Sequence, residues 1–276
     1  MTKRKKTVVV GYPVEHSLSP TIHNYWINKG NIQAATYEKI KIKPNDFEKE
    51  IDNLIALGYY GLNVTVPLKE LAYLKCDELS EAARKTKAVN TLIFKDGKVY
   101  GTNTDPIGFE SSLAAKTVEK NINKKSCLVL GAGGSSRAVI HALDKMSANI
   151  SVFNRTAEKA AKLCEDLEIN AKLLDAEDMK KHITSFDLIV NTTSLGLLPG
   201  EKNNLIDFSL LKTGAFVYDL IYKPKLSSFL KQAEIKGFDF QNGLKMLIGQ
   251  AAASFYIWHG IAPSNNNELE SLLEKF

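Results

Sequence analysis

Cys127-Leu128-Val129-Leu130-Gly131-Ala132-Gly133-Gly134-Ser135-Ser136 runs from an uncharged apolar stretch through a glycine-rich turn into a helical pattern. Residues 127–130 predict a strand buried on both faces, because no polar side chain alternates with the apolar ones. Past the turn, Val139, Ala142, Leu143 and Met146 recur at helical spacing. Glycine allows a sharp turn and lets backbone come close to an anion. A helix start adds unpaired N–H groups and the positive end of its dipole. Strand, glycine turn and helix in that order are the setting of a dinucleotide site, which makes Gly131, Ala132, Gly133, Gly134 and Ser135 candidates to cradle a pyrophosphate. Arg137-Ala138 occupies the region of the third glycine of the full pattern, so a purely structural turn stays open.

Downstream, strands are expected at 150–153, 171–174, 188–190 and 216–218, with a helix at 157–167 and helical patterns between the later strands. Repeated strand–helix units with short uncharged strands imply a parallel sheet covered on both faces. The strand at 150–153 leads into Asn154-Arg155-Thr156, with Lys159 one turn on. A carboxylate there would hold ribose hydroxyls, whereas a guanidinium and a hydroxyl suit a 2′-phosphate, which favours NADP over NAD. The competing reading is that Arg155 and Lys159 are solvated surface residues.

Upstream the rhythm also alternates. Strands are expected at 7–10 and 37–42. A helix opens at Ser19-Pro20, with Ser19 as cap, and another spans 44–57 with Phe47, Ile51, Leu54 and Ile55 on one face and Gly58 as its stop. In Asn63-Val64-Thr65-Val66-Pro67-Leu68-Lys69, alternation predicts a half-buried edge strand that Pro67 ends, with Lys69 just past it. Lys69 reads as a general acid or base, or as a solvated lysine. A helix is expected at 79–85 and a strand at 90–94, turned back by Asp96-Gly97. Ser17 and Ser19 at a helix mouth read as a small-carboxylate site or as an ordinary cap; Asp105, before Pro106 and a helix, reads on its own as a cap. Gln250, on the uncharged helical stretch from Gly243, needs a partner or a ligand, since an unpaired buried amide costs roughly 1–3 kcal/mol. That helix and a last one from Asn267, with Leu269, Leu272, Leu273 and Phe276 at helical spacing, have no strand after them.

Composition narrows the class. With 276 residues, 44% hydrophobic and 24% charged, the chain is ordinary for a globular protein of one or two domains. The net charge of +5 is spread out apart from Lys3-Arg4-Lys5-Lys6, and no basic, aromatic-studded face follows that would suit nucleic acid. Cys76, Cys127 and Cys164 are odd in number and far apart, which argues for a reducing compartment and against disulfides or zinc; the five histidines show no ligand spacing. The apolar stretch 249–262 is too short to span a bilayer. A cytoplasmic location, with no metal, no nucleic acid and no membrane, is the expectation.

An ordered series of motifs is similar to the shikimate dehydrogenase family. Gly11-Tyr12-Pro13-Val14-Glu15-His16-Ser17-Leu18-Ser19-Pro20, the Asn63–Lys69 stretch, Ala88-Val89-Asn90-Thr91 and Gly101-Thr102-Asn103-Thr104-Asp105 come first. The glycine turn, Asn154-Arg155-Thr156, Asn191-Thr192-Thr193-Ser194 and 243–250 complete the set, so the resemblance runs from Gly11 to Gly260. It implies an α/β fold of two domains: a Rossmann-like doubly wound parallel sheet for the cofactor at 105–241, and an α/β substrate domain at 1–104 completed by the C-terminal helices at 242–276. It further implies NADPH-dependent, reversible reduction of 3-dehydroshikimate to shikimate by a small-molecule enzyme, as monomer or homodimer. Lys69 and Asp105 become the catalytic pair. Ser17 and Ser19 take the substrate carboxylate, and Thr65, Asn90, Asp105, Tyr222 and Gln250 the ring hydroxyls. Asn154 to Lys159 take the adenosine phosphate, Thr192 and Thr193 belong to the cofactor site, and Leu220, Gly243 and Met246 lie near the nicotinamide.

Lys159 stands where many members have arginine, and Thr192 and Leu220 replace the commoner alanine and methionine. Two alternatives remain: a quinate/shikimate dehydrogenase that accepts NAD, and a non-catalytic NADP-binding regulator. In the oxidising direction either Lys69 or Asp105 could take the proton.

Overall fold

The computed structural model describes residues 5–32, 35–117, 122–197, 201, 203–264, 267–273 and 275. Lys3 and Arg4 of the basic run, and Asn265, Asn266 and Phe276 of the C-terminal pattern, lie outside them. Two compact units divide the chain: Met1–Gly108 with Leu247–Phe276, and Phe109–Met246.

In the first unit the elements run β1 (Lys5–Gly11), α1 (Ser19–Lys29), β2 (Ala35–Lys41), α2 (Phe47–Ala56), β3 (Tyr59–Val64), α3 (Lys69–Lys75), β4 (Glu78–Leu79), α4 (Glu81–Thr86), β5 (Thr91–Lys95) and β6 (Lys98–Thr102). Helix α5 (Asp105–Thr117) follows. The sheet order is β2-β1-β3-β5-β6-β4, with β1, β2 and β3 parallel and β5 antiparallel to both β3 and β6. Val8, Val10, Leu62, Val64 and Leu92 pack with Phe47, Ile51 and Leu54 of α2 in one core. The hairpin between β5 and β6 turns at Asp96 and Gly97, both at positive φ, as its Asp-Gly pair predicts.

Three upstream expectations need correction. β3 lies inside the sheet, not at its edge, and Gly61–Val64 is buried throughout; the strand stops at Val64, while Val66 is 56% exposed. The cause is the turn at Thr65–Leu68, closed by the Leu68 N–H on the Thr65 carbonyl, which starts α3 with Lys69 as its first residue. Lys69 is therefore buried at a helix start rather than solvated. Ser19 does not cap α1: the cap position is Leu18, and the Ser17 hydroxyl accepts from the Ser19 N–H at 3.3 Å. Helix α2 starts three residues later than expected, after a 3-10 turn at Pro44–Asp46, and Ile55 at the margin of its apolar stripe is 36% exposed.

The second unit contains β7 (Ser126–Leu130), α6 (Gly134–Lys145), β8 (Asn149–Phe153), α7 (Ala157–Leu167), β9 (Lys172–Leu174), α8 (Ala176–His182), β10 (Leu188–Asn191), β11 (Phe216–Asp219), α9 (Ser228–Ile235) and β12 (Asp239–Gln241). Every pairing in its sheet, ordered β12-β11-β10-β7-β8-β9, is parallel. Along β7, Cys127 and Val129 enter one core and Leu128 and Leu130 the other, so both faces are covered. The chain winds from β7 outward through β8 to β9, then returns to β10 on the other side of β7. That reversal makes the carboxyl ends of β7 and β10 the switch point where such sheets bind ligands. The unit is a doubly wound Rossmann-like sheet. The three-residue strand β12, whose Phe240 packs against the core, is an addition to the strands expected from the sequence.

Helix α10 (Leu244–His259) continues into the first unit, and α11 (Asn267–Leu273) follows there. Among the described residues no helix is long and apolar enough to cross a membrane, and no His/Cys/Asp/Glu group could hold a metal ion.

Candidate active site

At the switch point Gly131 has φ +113, a conformation a side chain resists, and a Cβ there would lie 2.6 Å from Thr192 Oγ1. Its N–H bonds the Phe153 carbonyl at 2.8 Å, which fixes the turn against β8. The N–H groups of Gly134 and Ser135 open α6 ahead of any intrahelical acceptor, so they can point at an anion. After β8, Asn154 Nδ2 donates to the Thr156 carbonyl at 2.8 Å and shapes the loop. Arg155, Thr156 and Lys159 are exposed, and among the described residues neither Arg155 nor Lys159 forms an ion pair. A glycine cradle, a helix start and two uncommitted cations fit a phosphorylated dinucleotide.

Beyond β10, Thr193 donates its hydroxyl to Asn191 Oδ1 at 2.8 Å, while Thr192 bonds the Leu130 carbonyl at 2.7 Å. Beyond β11, any side chain on Gly243 would collide with the Leu220 carbonyl, so glycine is required there and the two segments lie back to back. Met246 is buried in the core that Leu220 flanks, and Tyr222 is half-buried. Asp219, the fully buried last residue of β11, accepts from Asn191 Nδ2 at 3.0 Å, the Ile221 N–H at 3.1 Å and the Ser227 hydroxyl at 2.5 Å. Burial pushes its carboxyl up to about 6, against those hydrogen bonds.

In the first unit, Lys69 Nζ donates to Asp105 Oδ2, both groups being buried. Asn90 Nδ2 donates to Asp105 Oδ1 at 2.7 Å and to Gln250 Oε1 at 3.3 Å. The Asn90 oxygen accepts from the Thr104 N–H at 2.9 Å and the Thr91 hydroxyl at 2.8 Å, so the amide cannot be turned over. Gln250 Nε2 donates to the Leu247 carbonyl at 2.7 Å, so the partner that amide needed is present. Lys69, Asp105, Asn90 and Gln250 thus form one bonded cluster. Thr65 sits in the turn before Lys69, its methyl against Gly11, where any side chain would overlap it. Ser19 is buried, while Ser17 is partly open.

Two residues tied into this cluster, Tyr37 and Ser254, lie outside the motifs read from the sequence. Tyr37 donates to Asn63 Oδ1 at 2.6 Å; Asn63 Nδ2 reaches the Asn90 carbonyl at 3.1 Å and the Ser254 hydroxyl at 3.0 Å. Ser254 also meets Thr91 at 2.8 Å and Thr104 at 3.1 Å. Its one signal is the four-residue step from Gln250, which puts both polar side chains on one helical face.

A doubly wound dinucleotide unit, joined in one chain to an α/β unit with a buried lysine–aspartate pair, defines an oxidoreductase that works with a nicotinamide dinucleotide. Residues 9–92 match the shikimate dehydrogenase substrate-binding domain, 112–207 match shikimate/quinate 5-dehydrogenase, and 243–264 match the shikimate 5′-dehydrogenase C-terminal domain. The shikimate dehydrogenase (NADP(+)) of Pelagibacter ubique is 40% identical over 98% of this chain and 99% of its own. The solved shikimate dehydrogenase of Aquifex aeolicus superposes with a TM-score of 0.90 at 37% identity, covering 99% of this chain and 98% of that one. The Thermus thermophilus enzyme in complex with NADP(H) and shikimate gives 0.87 at 31% identity, covering 99% and 100%. The chain belongs to the shikimate dehydrogenase family.

Proposed function

We propose that this protein catalyses the NADPH-dependent, reversible reduction of 3-dehydroshikimate to shikimate, a step towards aromatic amino acids. The observation that carries the reading is the buried Lys69–Asp105 pair bonded to Asn90, whose amide also donates to Gln250. The full-length likeness to enzymes named for NADP and shikimate supports it.

Bound NADPH supplies a hydride to the substrate carbonyl carbon. The chain's residues handle binding and the proton. Lys69 commits one N–H to Asp105 and keeps two, one of which goes to the carbonyl oxygen as it becomes an alkoxide. Asp105 accepts from both Lys69 and Asn90, which fixes the lysine in direction. Low exposure strengthens this fixed charge relative to water. In the oxidising direction the proton returns to the same pair. The Ser17 hydroxyl receives the Ser19 N–H and keeps its own proton for the substrate carboxylate. Gly131 to Ser135 and Arg155 hold pyrophosphate and 2′-phosphate. A cytoplasmic location, with the protein as monomer or homodimer, completes the reading.

The test is absorbance at 340 nm with NADP+ and shikimate, repeated with NAD+ and with quinate. A rate with NADP+ and shikimate that exceeds the others is expected. No change with any pair would favour a non-catalytic binding protein, and equal use of NAD+ would overturn the role of Arg155.

A further inference from the structure

Thr192 joins the glycine turn through a hydrogen-bond chain whose direction the donors fix. The Gly133 N–H donates to Ser136 Oγ at 3.0 Å. Thr192 Oγ1 donates to the Leu130 carbonyl at 2.7 Å, since a carbonyl can only accept. The contact of 2.6 Å between the two hydroxyls must therefore use the Ser136 proton. The order is Gly133 N–H to Ser136, Ser136 to Thr192, Thr192 to Leu130, linking the end of β7, the start of α6 and the segment after β10. The chain lies over Gly131: a Cβ there would meet Thr192 Oγ1 at 2.6 Å, Thr193 Cγ2 at 3.1 Å and Ser136 Oγ at 3.4 Å.

Two consequences follow. The Thr192 hydroxyl has spent its only proton inside the protein and has none for a phosphate. The Gly133 N–H is likewise occupied, so Gly134 and Ser135 supply the anion-binding N–H groups. We propose that Thr192 and Ser136 are positioning residues, which hold the turn ready for the dinucleotide rather than touch it. Resting on the dinucleotide reading above, this assigns Thr192 a part that alanine at that position cannot play. Pre-organisation raises affinity by cutting the ordering that binding would otherwise require.

The experiment is a double-mutant cycle on NADPH dissociation constants, read by the cofactor's fluorescence with no substrate present. Thr192→Val keeps the branched shape and loses the hydroxyl; Ser136→Ala breaks the chain one link earlier. Each is expected to weaken NADPH binding by about 3- to 12-fold, as one buried hydrogen bond does, and the double variant no more than the worse single. Thr192→Ser is expected to restore binding, and the Michaelis constant for shikimate should move less than the NADPH constant. Effects that multiply in the double variant, wild-type binding in Thr192→Val, or failure of Thr192→Ser to rescue would each overturn the proposal. Wild-type protein that does not bind NADPH would instead refute the dinucleotide reading itself.

Discussion

Asn90 donates its amide to Asp105 Oδ1 at 2.7 Å, while its own oxygen is occupied by Thr104 and Thr91. The amide is locked, so it acts as a fixed donor to one oxygen of a carboxylate whose other oxygen holds Lys69. Two buried groups of opposite charge are thereby set in one orientation. Removing either charge leaves the other uncompensated, which typically costs about 3–5 kcal/mol.

Asn90→Ala removes the donor to Asp105 and orphans the Thr104 N–H. A hydrogen bond to a charged group is worth about 1.5–3 kcal/mol, so kcat/KM should fall roughly 10- to 100-fold. Thermal melting should fall with it, because Thr104 loses a buried acceptor. Steady-state assays with shikimate, alongside a melting curve, check both; an unchanged kcat/KM would separate Asn90 from the pair.

Arg155→Ala should raise the Michaelis constant for NADPH by about 10- to 100-fold, the worth of a charge-assisted bond to phosphate, and leave that for NADH nearly unchanged. The exposed guanidinium has no other ion partner among the described residues, so the melting temperature should hold. Parallel titrations with the two cofactors give the ratio; equal losses for both would place Arg155 away from the 2′-phosphate.

Asp219 should leave a mark on stability against pH. Its carboxyl is raised from 3.8 to about 6, by burial first, with hydrogen bonds from Ser227, Ile221 and Asn191 opposing. The folded chain then holds a proton that the unfolded chain has released, so this contribution is full below about pH 4 and is lost as pH rises through 6. Roughly 3 kcal/mol is at stake over that window. Asp219→Asn, unfolded by denaturant at pH 4, 5 and 6.5, should show a flatter slope than wild type. Identical slopes would remove Asp219 as the source.

The parts of the fold that depend on local chemistry could be read directly. The β7 strand, the glycine turn and α6 follow from an uncharged run and residues that tolerate positive φ, and α7 ends where its apolar spacing ends. β3 misled because Leu62, Asn63 and Val64 alternate like a half-buried strand. Asn63 is nevertheless buried, and satisfied by Tyr37 and Ser254, which are distant in the chain. Helix α3 was hidden by Pro67, which reads as a stop although the chain turns and starts a helix two residues later. Lys69 and Asp105 were both visible, but they are 36 residues apart and only the fold brings them together. Asp219 shows no pattern and Ser136 gives no sign of its bond to Thr192, since their distant partners Asn191 and Thr192 come from the end of β10 and the residue after it.

The most direct test of the Lys69–Asp105 assignment is the steady-state rate of Lys69→Ala with NADP+ and shikimate, against wild type on the same preparation. Loss of a general acid–base group predicts a fall in kcat of about 10²- to 10⁴-fold with little change in the Michaelis constant for shikimate. A folded Lys69→Ala protein with near-normal kcat would contradict the account.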